Sequence, residues 1–168
     1  KKLSAMAISL MFATMQLSHA AIDTGLNNAV INNTTGGYAG IERGTNSATL
    51  KFDNNAHVNW NTLNVGKNAT LKFNTVNNAS GITVLNTVNS GMSTIYGAIN
   101  SDAGISKLII SNPNGMLFDG AKFTTAGDAM LTTQGMGATF TGNNINIVPA
   151  TVEATKDLTE PAKYDALR

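Results

Sequence analysis

The pentapeptide Ala-Thr-Leu-Lys-Phe occurs twice in this chain of 168 residues, at 48–52 and again at 69–73. The copies begin at 48 and 69, an offset of 21 residues, and a repeat of about 20 residues is typical of solenoids. Polar and apolar side chains alternate in each copy, so Leu50 and Phe52 share one face of a β-strand. The repeat therefore predicts a parallel β-helix in which one copy stacks on the next.

Stacking would bring equivalent side chains of the two copies together in the core. We expect Leu50 to lie next to Leu71 and Phe52 next to Phe73. Backbone groups of one turn would hydrogen-bond to those of the next turn. The repeat alone leaves a second interpretation open, in which two strands of an antiparallel sandwich match by coincidence.

The composition favours many short strands that are joined by tight turns. Asn occurs 22 times and Gly 16 times, whereas Pro occurs 3 times. Asn and Gly tolerate left-handed backbone, and the Asn side chain bonds to nearby backbone. In a β-helix, Asn residues at the corners can stack into side-chain ladders. Besides the two pentapeptides, strands are predicted at 58–60, 63–65, 82–88, 95–99, 107–111, 116–118, 129–133 and 145–148.

Charge and residue content argue against several kinds of site. A formal net charge of +1 gives no electrostatic reason to expect nucleic acid as a partner. The chain has no Cys, and His57 is the one histidine after His19, so neither a metal site nor a cofactor is expected. Asp102, Asp119 and Asp128 are not spaced by whole turns, so we expect no catalytic residue.

The first twenty residues have the pattern of a secretory signal peptide. Lys1 and Lys2 precede a mostly apolar stretch at 3–17, and small residues follow, so cleavage between Ala20 and Ala21 is predicted. The apolar stretch is short for a membrane span. A buried N-terminal helix or a membrane anchor is the alternative interpretation.

The last eighteen residues differ from the rest of the chain. The segment 151–168 holds seven of the 21 charged residues and has neither Asn nor Gly. Pro161 would interrupt a helix there. The predicted organisation is a signal peptide at 1–20, a β-helix domain at 21–150, and at 151–168 a charged tail or the start of a truncated downstream region.

Three segments in the middle of the chain resemble the motifs of a known family. The segments 59–66, 84–99 and 108–118 read NWNTLNVG, VLNTVNSGMSTIYGAI and LIISNPNGMLF. They resemble, in this order, NW-x-x-(F/L)-N-(I/V)-G, (V/L)-N-x-V … S-x-I-x-G-x-(I/L) and INPNG(I/V)-x-F. These motifs belong to the N-terminal secretion domains of two-partner secretion exoproteins, the filamentous haemagglutinin or haemagglutination activity type.

The resemblance implies an all-β, right-handed parallel β-helix with an N-terminal cap. It implies a protein of a Gram-negative bacterium that the general secretion machinery carries into the periplasm. There an outer-membrane polypeptide-transporting β-barrel would bind it through periplasmic domains and thread it out unfolded, and folding would nucleate at this domain. Downstream repeats of such proteins carry adhesion, haemagglutination or virulence functions, and we expect this domain to be a monomer.

The candidate functional residues are Asn112, Pro113, Asn114 and Gly115, with Asn86 added from the second motif. Proline fixes φ and restrains the residue before it, and Asn-Gly permits a sharp turn. One interpretation is that the two amides serve only to satisfy backbone groups at a corner. The other is that the corner is a surface that the transporter recognises directly.

Two other functions remain open on the residues alone. A self-contained secreted β-helix that binds host glycans or other surfaces would present a regular outward array of Thr or Asn on every turn. A β-helix enzyme that acts on polysaccharides would need an acid cluster, which the sequence does not show.

Overall fold

The computed structural model describes residues 25–150, and all of the structure that it describes there is strand and turn, without a helix. In this part of the chain there is accordingly no helix that could cross a membrane. The predicted signal peptide, its cleavage residues Ala20 and Ala21, and the tail at 151–168 lie outside the described residues. The strands are β1 Ala29–Arg43, β2 Ser47–Leu63, β3 Thr70–Thr75, β4 Ile82–Val88, β5 Ser93–Ile95, β6 Ala98–Ser101, β7 Ile105–Ser111, β8 Met116–Phe118, β9 Lys122–Thr125, β10 Asp128–Thr132, β11 Met136–Thr141 and β12 Asn144–Pro149.

Strands β2 to β10 wind into about four turns of a parallel β-helix. The first half of β2 pairs with β3, β3 pairs with β6, and β6 pairs with β9. These strands form the first face. The second half of β2 pairs with β4, β4 pairs with β7, and β7 pairs with β10. These strands form the second face. The third face holds β5 and β8, and Val65 extends it by a bridge to Ile95. The predicted parallel β-helix is confirmed, and the antiparallel sandwich is wrong.

The predicted register of the pentapeptides is wrong by two residues. Leu50 lies opposite Phe73, not Leu71, so the true offset here is 23 residues. An even shift keeps each side chain on its own face, and the rings of Phe52 and Phe73 still stack with centroids 6.1 Å apart. The later offsets, 28 and 24 residues for Leu71 to Ile99 to Phe123, show that corner length and not residue identity sets the register.

Strand β2 is longer than predicted. It continues through 53–55, between the predicted strands at 48–52 and 58–60, and so carries both the first face and the second face of the first turn. Alternate side chains along β2 point into the core, and those of Leu50, Val58 and Trp60 are fully buried. The residues on either side of this segment, at 48–52 and 56–60, have partners on both edges of β2, and this flanking pairing overrides the turn preference of Asn.

Strand β1, which the sequence did not predict, closes the N-terminal end. It pairs antiparallel with β2 along the edge that β3 and β4 leave free. The guanidinium of Arg43 donates to the carbonyl oxygen of Ala29 at 2.8 Å, and the ring of Tyr38 meets Phe52 edge-on at 6.0 Å. These contacts make β1 the predicted N-terminal cap.

Strands β11 and β12 form an antiparallel hairpin outside the helix, of which only the second strand was predicted. The Phe140 ring lies over Gly36 of the cap, and the amide of Asn55 donates to the carbonyl oxygen of Asn143 at 2.9 Å. Strand β11 also lies against β4. Leu85 of β4 faces outward by alternation and is nevertheless fully buried, as expected beneath such a cover.

Candidate functional site

The residues Asn112 to Gly115 form the corner between the second and third faces in the third turn of the helix. Strand β7 ends just before this corner and β8 begins just after it. The amide N–H of Gly115 donates to the carbonyl oxygen of Asn112 at 3.0 Å, which closes a tight turn. Gly115 has a φ of 102°, a conformation that residues with a Cβ rarely adopt.

The side chain of Asn112 is fully buried, and every polar atom that it has is used. Its Oδ1 accepts from the backbone N–H of Asn114 at 2.9 Å. Its Nδ2 donates to the carbonyl oxygen of Gly91 at 3.0 Å and to Oγ of Ser93 at 2.8 Å. The alternation of β7, continued by one residue, places Asn112 on the same inward side as Ile110, so this amide is a core group that joins two turns.

The same corner also bonds to the fourth turn. The backbone N–H of Asn112 donates to the carbonyl oxygen of Thr132 at 3.0 Å. The hydroxyl of Ser111 donates to the carbonyl oxygen of Gln134 at 2.6 Å. The corner therefore connects three successive turns, and its hydrogen bonds depend on the stacking of all three.

The outer part of the corner is solvent-exposed. Pro113 and Asn114 are exposed, and the amide of Asn114 makes only a long contact of 3.5 Å to the carbonyl oxygen of Asn89. Met92 is 48% exposed and lies beside Gly115. We call Met92, Pro113 and Asn114 the corner patch.

Asn86 lies in strand β4 and is not part of this corner. It is fully buried, and its Oδ1 accepts from the indole Nε1–H of Trp60 at 2.9 Å. Its Nδ2 donates to the carbonyl oxygen of Ile109 at 3.1 Å. Asn86 thus satisfies the one polar atom of the buried Trp60 side chain, a group whose burial without a partner would be costly.

Other Asn side chains cap backbone groups of a neighbouring turn and do not stack on one another. Oδ1 of Asn55 accepts from the N–H of Thr83 at 2.7 Å, and Oδ1 of Asn64 accepts from the N–H of Thr94 at 2.8 Å. No parallel register of residues 25–150 places Asn opposite Asn. Within residues 25–150 the Asn ladders that the composition allows do not form, because these amides bond to backbone groups of a neighbouring turn instead.

Sequence reasoning missed Ser93 and Ser111, which complete the bonding of Asn112 and its corner. Ser93 is fully buried, and its N–H donates to the carbonyl oxygen of Gly115 at 3.1 Å. A usable signal was present, because Ser93 begins the second half of the second motif. One turn of about 20 residues separates it from the corner.

The ionisable groups do not converge on the corner. Within residues 25–150, His, Asp and Glu do not form a group of three that could hold a metal ion. Asp102 accepts from the N–H of Thr75 at 2.7 Å and so braces a different corner, while Asp119 and Asp128 are exposed. Burial lowers the pKa of His57, which pairs with the hydroxyl of Thr87 at 2.7 Å on the second face.

Comparison with known proteins places the chain in a family. The family model described as TPS secretion domain matches residues 18–159, which is most of the 168 residues. Comparisons with curated proteins and with solved structures found no match. TPS domains are targeting domains and not a family of enzymes. The chain belongs to the TPS secretion domain family, and it therefore acts in two-partner secretion, in which an outer-membrane transporter exports a secreted or surface-exposed protein of Gram-negative bacteria.

Proposed function

We propose that this domain is recognised by its transporter in the periplasm and then nucleates the folding of a large surface adhesin. In this proposal residues 1–20 are the signal peptide, 21–150 are the secretion domain, and 151–168 are a charged tail or the start of the downstream region. The observation that carries the nucleation step is the difference between the two ends of the β-helix.

Within residues 25–150, the N-terminal end of the β-helix is closed and the far end is open. Strand β1 occupies the free edge of the first turn. Among the described residues, no strand pairs with the outer edge of β8, β9 or β10. Unpaired strand edges are templates for a further strand.

The open end also exposes side chains that the earlier turns bury. Phe118 and Leu131 are 42% and 37% exposed, although their register partners Ile95 and Ile110 are at most 2% exposed. The Phe118 ring meets Phe123 edge-on at 5.6 Å. A further turn would bury this surface and pair the three edges, as in other solenoids that grow by nearest-neighbour contacts.

The nucleation step can be tested by changing the open end in a chain that is extended by further β-helix turns. Phe118→Asp with Leu131→Asp should leave this domain folded by circular dichroism but prevent the following turns from reaching protease resistance. Leu117→Asp is the matched control, because Leu117 is 45% exposed and faces outward by alternation. Normal protease resistance in the double variant would contradict nucleation at this end.

For recognition, we propose that the transporter contacts the corner patch and that Asn112 only supports it. The buried amide of Asn112 is out of reach in the folded domain, whereas Pro113 and Asn114 are exposed. The corner patch also has no ionisable group, so the proposed contact is apolar and amide-based.

A pull-down against the periplasmic domains of the partner transporter tests recognition. Asn114→Ala with Met92→Ser should weaken binding by about tenfold while the fold is kept. Asn146→Ala, on the exposed side of β12, is the matched amide control. If the double variant binds as the parent does, the corner patch is not the recognised surface.

The outward side of the first face does not favour a flat glycan-binding or surface-binding array. Its central register positions run Thr49, Lys72, Asn100 and Thr124, so no residue type repeats on every turn. The proposed function therefore stays with secretion.

A further inference from the structure

The three corners that lead from the third face to the first face differ in length. Each corner is counted from the last aligned residue of the third face to the first aligned residue of the first face. It has four residues at 66–69, two at 96–97 and three at 119–121. The middle corner is therefore the shortest path, and its backbone is recessed between the two longer corners. A groove results, with the middle corner as its floor.

Gly97 makes this recess possible. A Cβ at this position would overlap the carbonyl oxygens of Gly66 and Ala69. Only glycine lets the middle corner pass so close beneath the corner of the first turn. The recess is thus a feature of the backbone and does not depend on a mobile side chain.

The groove is open to solvent and has a volume of about 480 Å³. This volume lies within the range of small-molecule sites. Its walls are the corners of the first and third turns, so their backbones are separated by about 9.6 Å, twice the spacing of neighbouring strands. The residues that line it are Lys67, Asn68, Tyr96, Asp119 and Gly120, with Lys122 at one end.

The side chains of the groove present an aromatic floor between polar walls. Tyr96 is half-buried at the floor, while Lys67, Asn68, Asp119 and Lys122 are exposed. Within residues 25–150 none of these five side chains forms a hydrogen bond or an ion pair. Their donors and acceptors are not committed to another described residue.

We propose that this groove is a saccharide-binding site, separate from the corner patch and independent of transporter recognition. A sugar ring offers a C–H face for Tyr96 and hydroxyl groups that both donate and accept. The lysines only donate, Asp119 only accepts, and Asn68 does both, so the walls match hydroxyls of either role. An acidic peptide would suit the lysines but would be repelled by Asp119.

The test uses the purified protein labelled for NMR and a panel of cellotriose, chitotriose, maltotriose and lactose. At least one sugar should shift the amide signals of 66–69, 96–97 and 119–122 in a saturable manner. Tyr96→Ala should weaken that binding by about tenfold, and Tyr96→Phe should keep most of it, because the ring and not the hydroxyl forms the floor. Lys107→Ala, on the second face, is the control and should not change binding.

A second variant covers the case in which Tyr96→Ala fails to fold. Asp119→Ala alters an exposed wall residue and should also weaken sugar binding by about tenfold. The proposal is overturned if no sugar shifts these amides, or if folded Tyr96→Ala and Asp119→Ala bind as the parent does. It is also overturned if tetraglutamate shifts these amides and the sugars do not, since the groove would then be a site for acidic peptides.

Discussion

At the scale of single residues, the buried Asn112 and the exposed Asn114 share one corner but differ in role. Asn112 makes three side-chain hydrogen bonds in the core, whereas Asn114 makes one long contact at the surface. Because neither residue is charged, burial and bonding alone separate their effects on stability.

We expect Asn112→Ala to lower the free energy of unfolding by about 3 kcal/mol, because it leaves buried backbone and hydroxyl groups without partners. Asn114→Ala should cost less than about 0.5 kcal/mol. Urea denaturation followed by circular dichroism measures both values. Equal losses in the two variants would show that burial of the Asn112 amide does not matter.

His57 makes the stability depend on pH. Burial lowers its pKa below the ordinary value of 6.5, so the unfolded chain takes up a proton before the folded chain does. Stability should therefore be full above about pH 6.5 and should fall as the pH drops from there towards the folded pKa. Thermal midpoints at pH 7.5 and 5.5 should differ less in His57→Gln than in the parent, and an unchanged difference would exclude His57 as the cause.

At the scale of elements, the hairpin β11–β12 and the cap strand β1 meet at one glycine. Gly36 has a φ of 86°, and a Cβ there would overlap the carbonyl oxygen of Asn55 in β2 and would lie 2.8 Å from the Phe140 ring. Gly40, in the same strand, has a φ of 119° and open space around it. Substitution of the two glycines by alanine therefore distinguishes backbone strain from close packing. Both positions have positive φ, but only Gly36 is crowded.

Gly36→Ala should therefore destabilise the protein by about 1–3 kcal/mol more than Gly40→Ala, the usual cost of overpacking. The comparison is made by thermal or urea denaturation of the two variants. Equal losses in the two variants would mean that β2 and the hairpin both move away from the new methyl group at little cost.

At the scale of the whole molecule, stability should decrease from the closed end to the open end. The first turn has partners on both edges, whereas β9 and β10 have one unpaired edge each among the described residues. Hydrogen exchange should therefore be slowest in β2 and β4 and fastest in β9 and β10. Uniform protection along the helix would contradict this gradient and would weaken the proposal that further turns add at the open end.

Much of the fold could be predicted because it depends on local pattern. Alternation in the two pentapeptides marked strands of the first face, and about one turn of chain separates them. Strand β1 was missed because Asn33, Gly36 and Gly37 resemble turn residues, and only the pairing of this segment with β2 makes it a strand. The two-residue error in register has the same origin, since the lengths of distant corners set it.

The candidate corner shows the same division. Asn-Pro-Asn-Gly specifies a bend by itself, because proline and glycine restrict or permit backbone angles whatever surrounds them. Burial of Asn112 depends on Gly91 and Ser93, which lie about one turn earlier in the chain. The recessed groove at Tyr96 likewise exists only after three corners of unequal length stack.

The sequence by itself determined the strand pattern, the turn chemistry and the family resemblance, since each is read from short segments of the chain and their order. The tertiary structure alone decided the register, the N-terminal cap, the open end and which amides are buried. Those features arise from contacts between turns, and the lengths of the intervening corners, which no short motif encodes, set which residues meet.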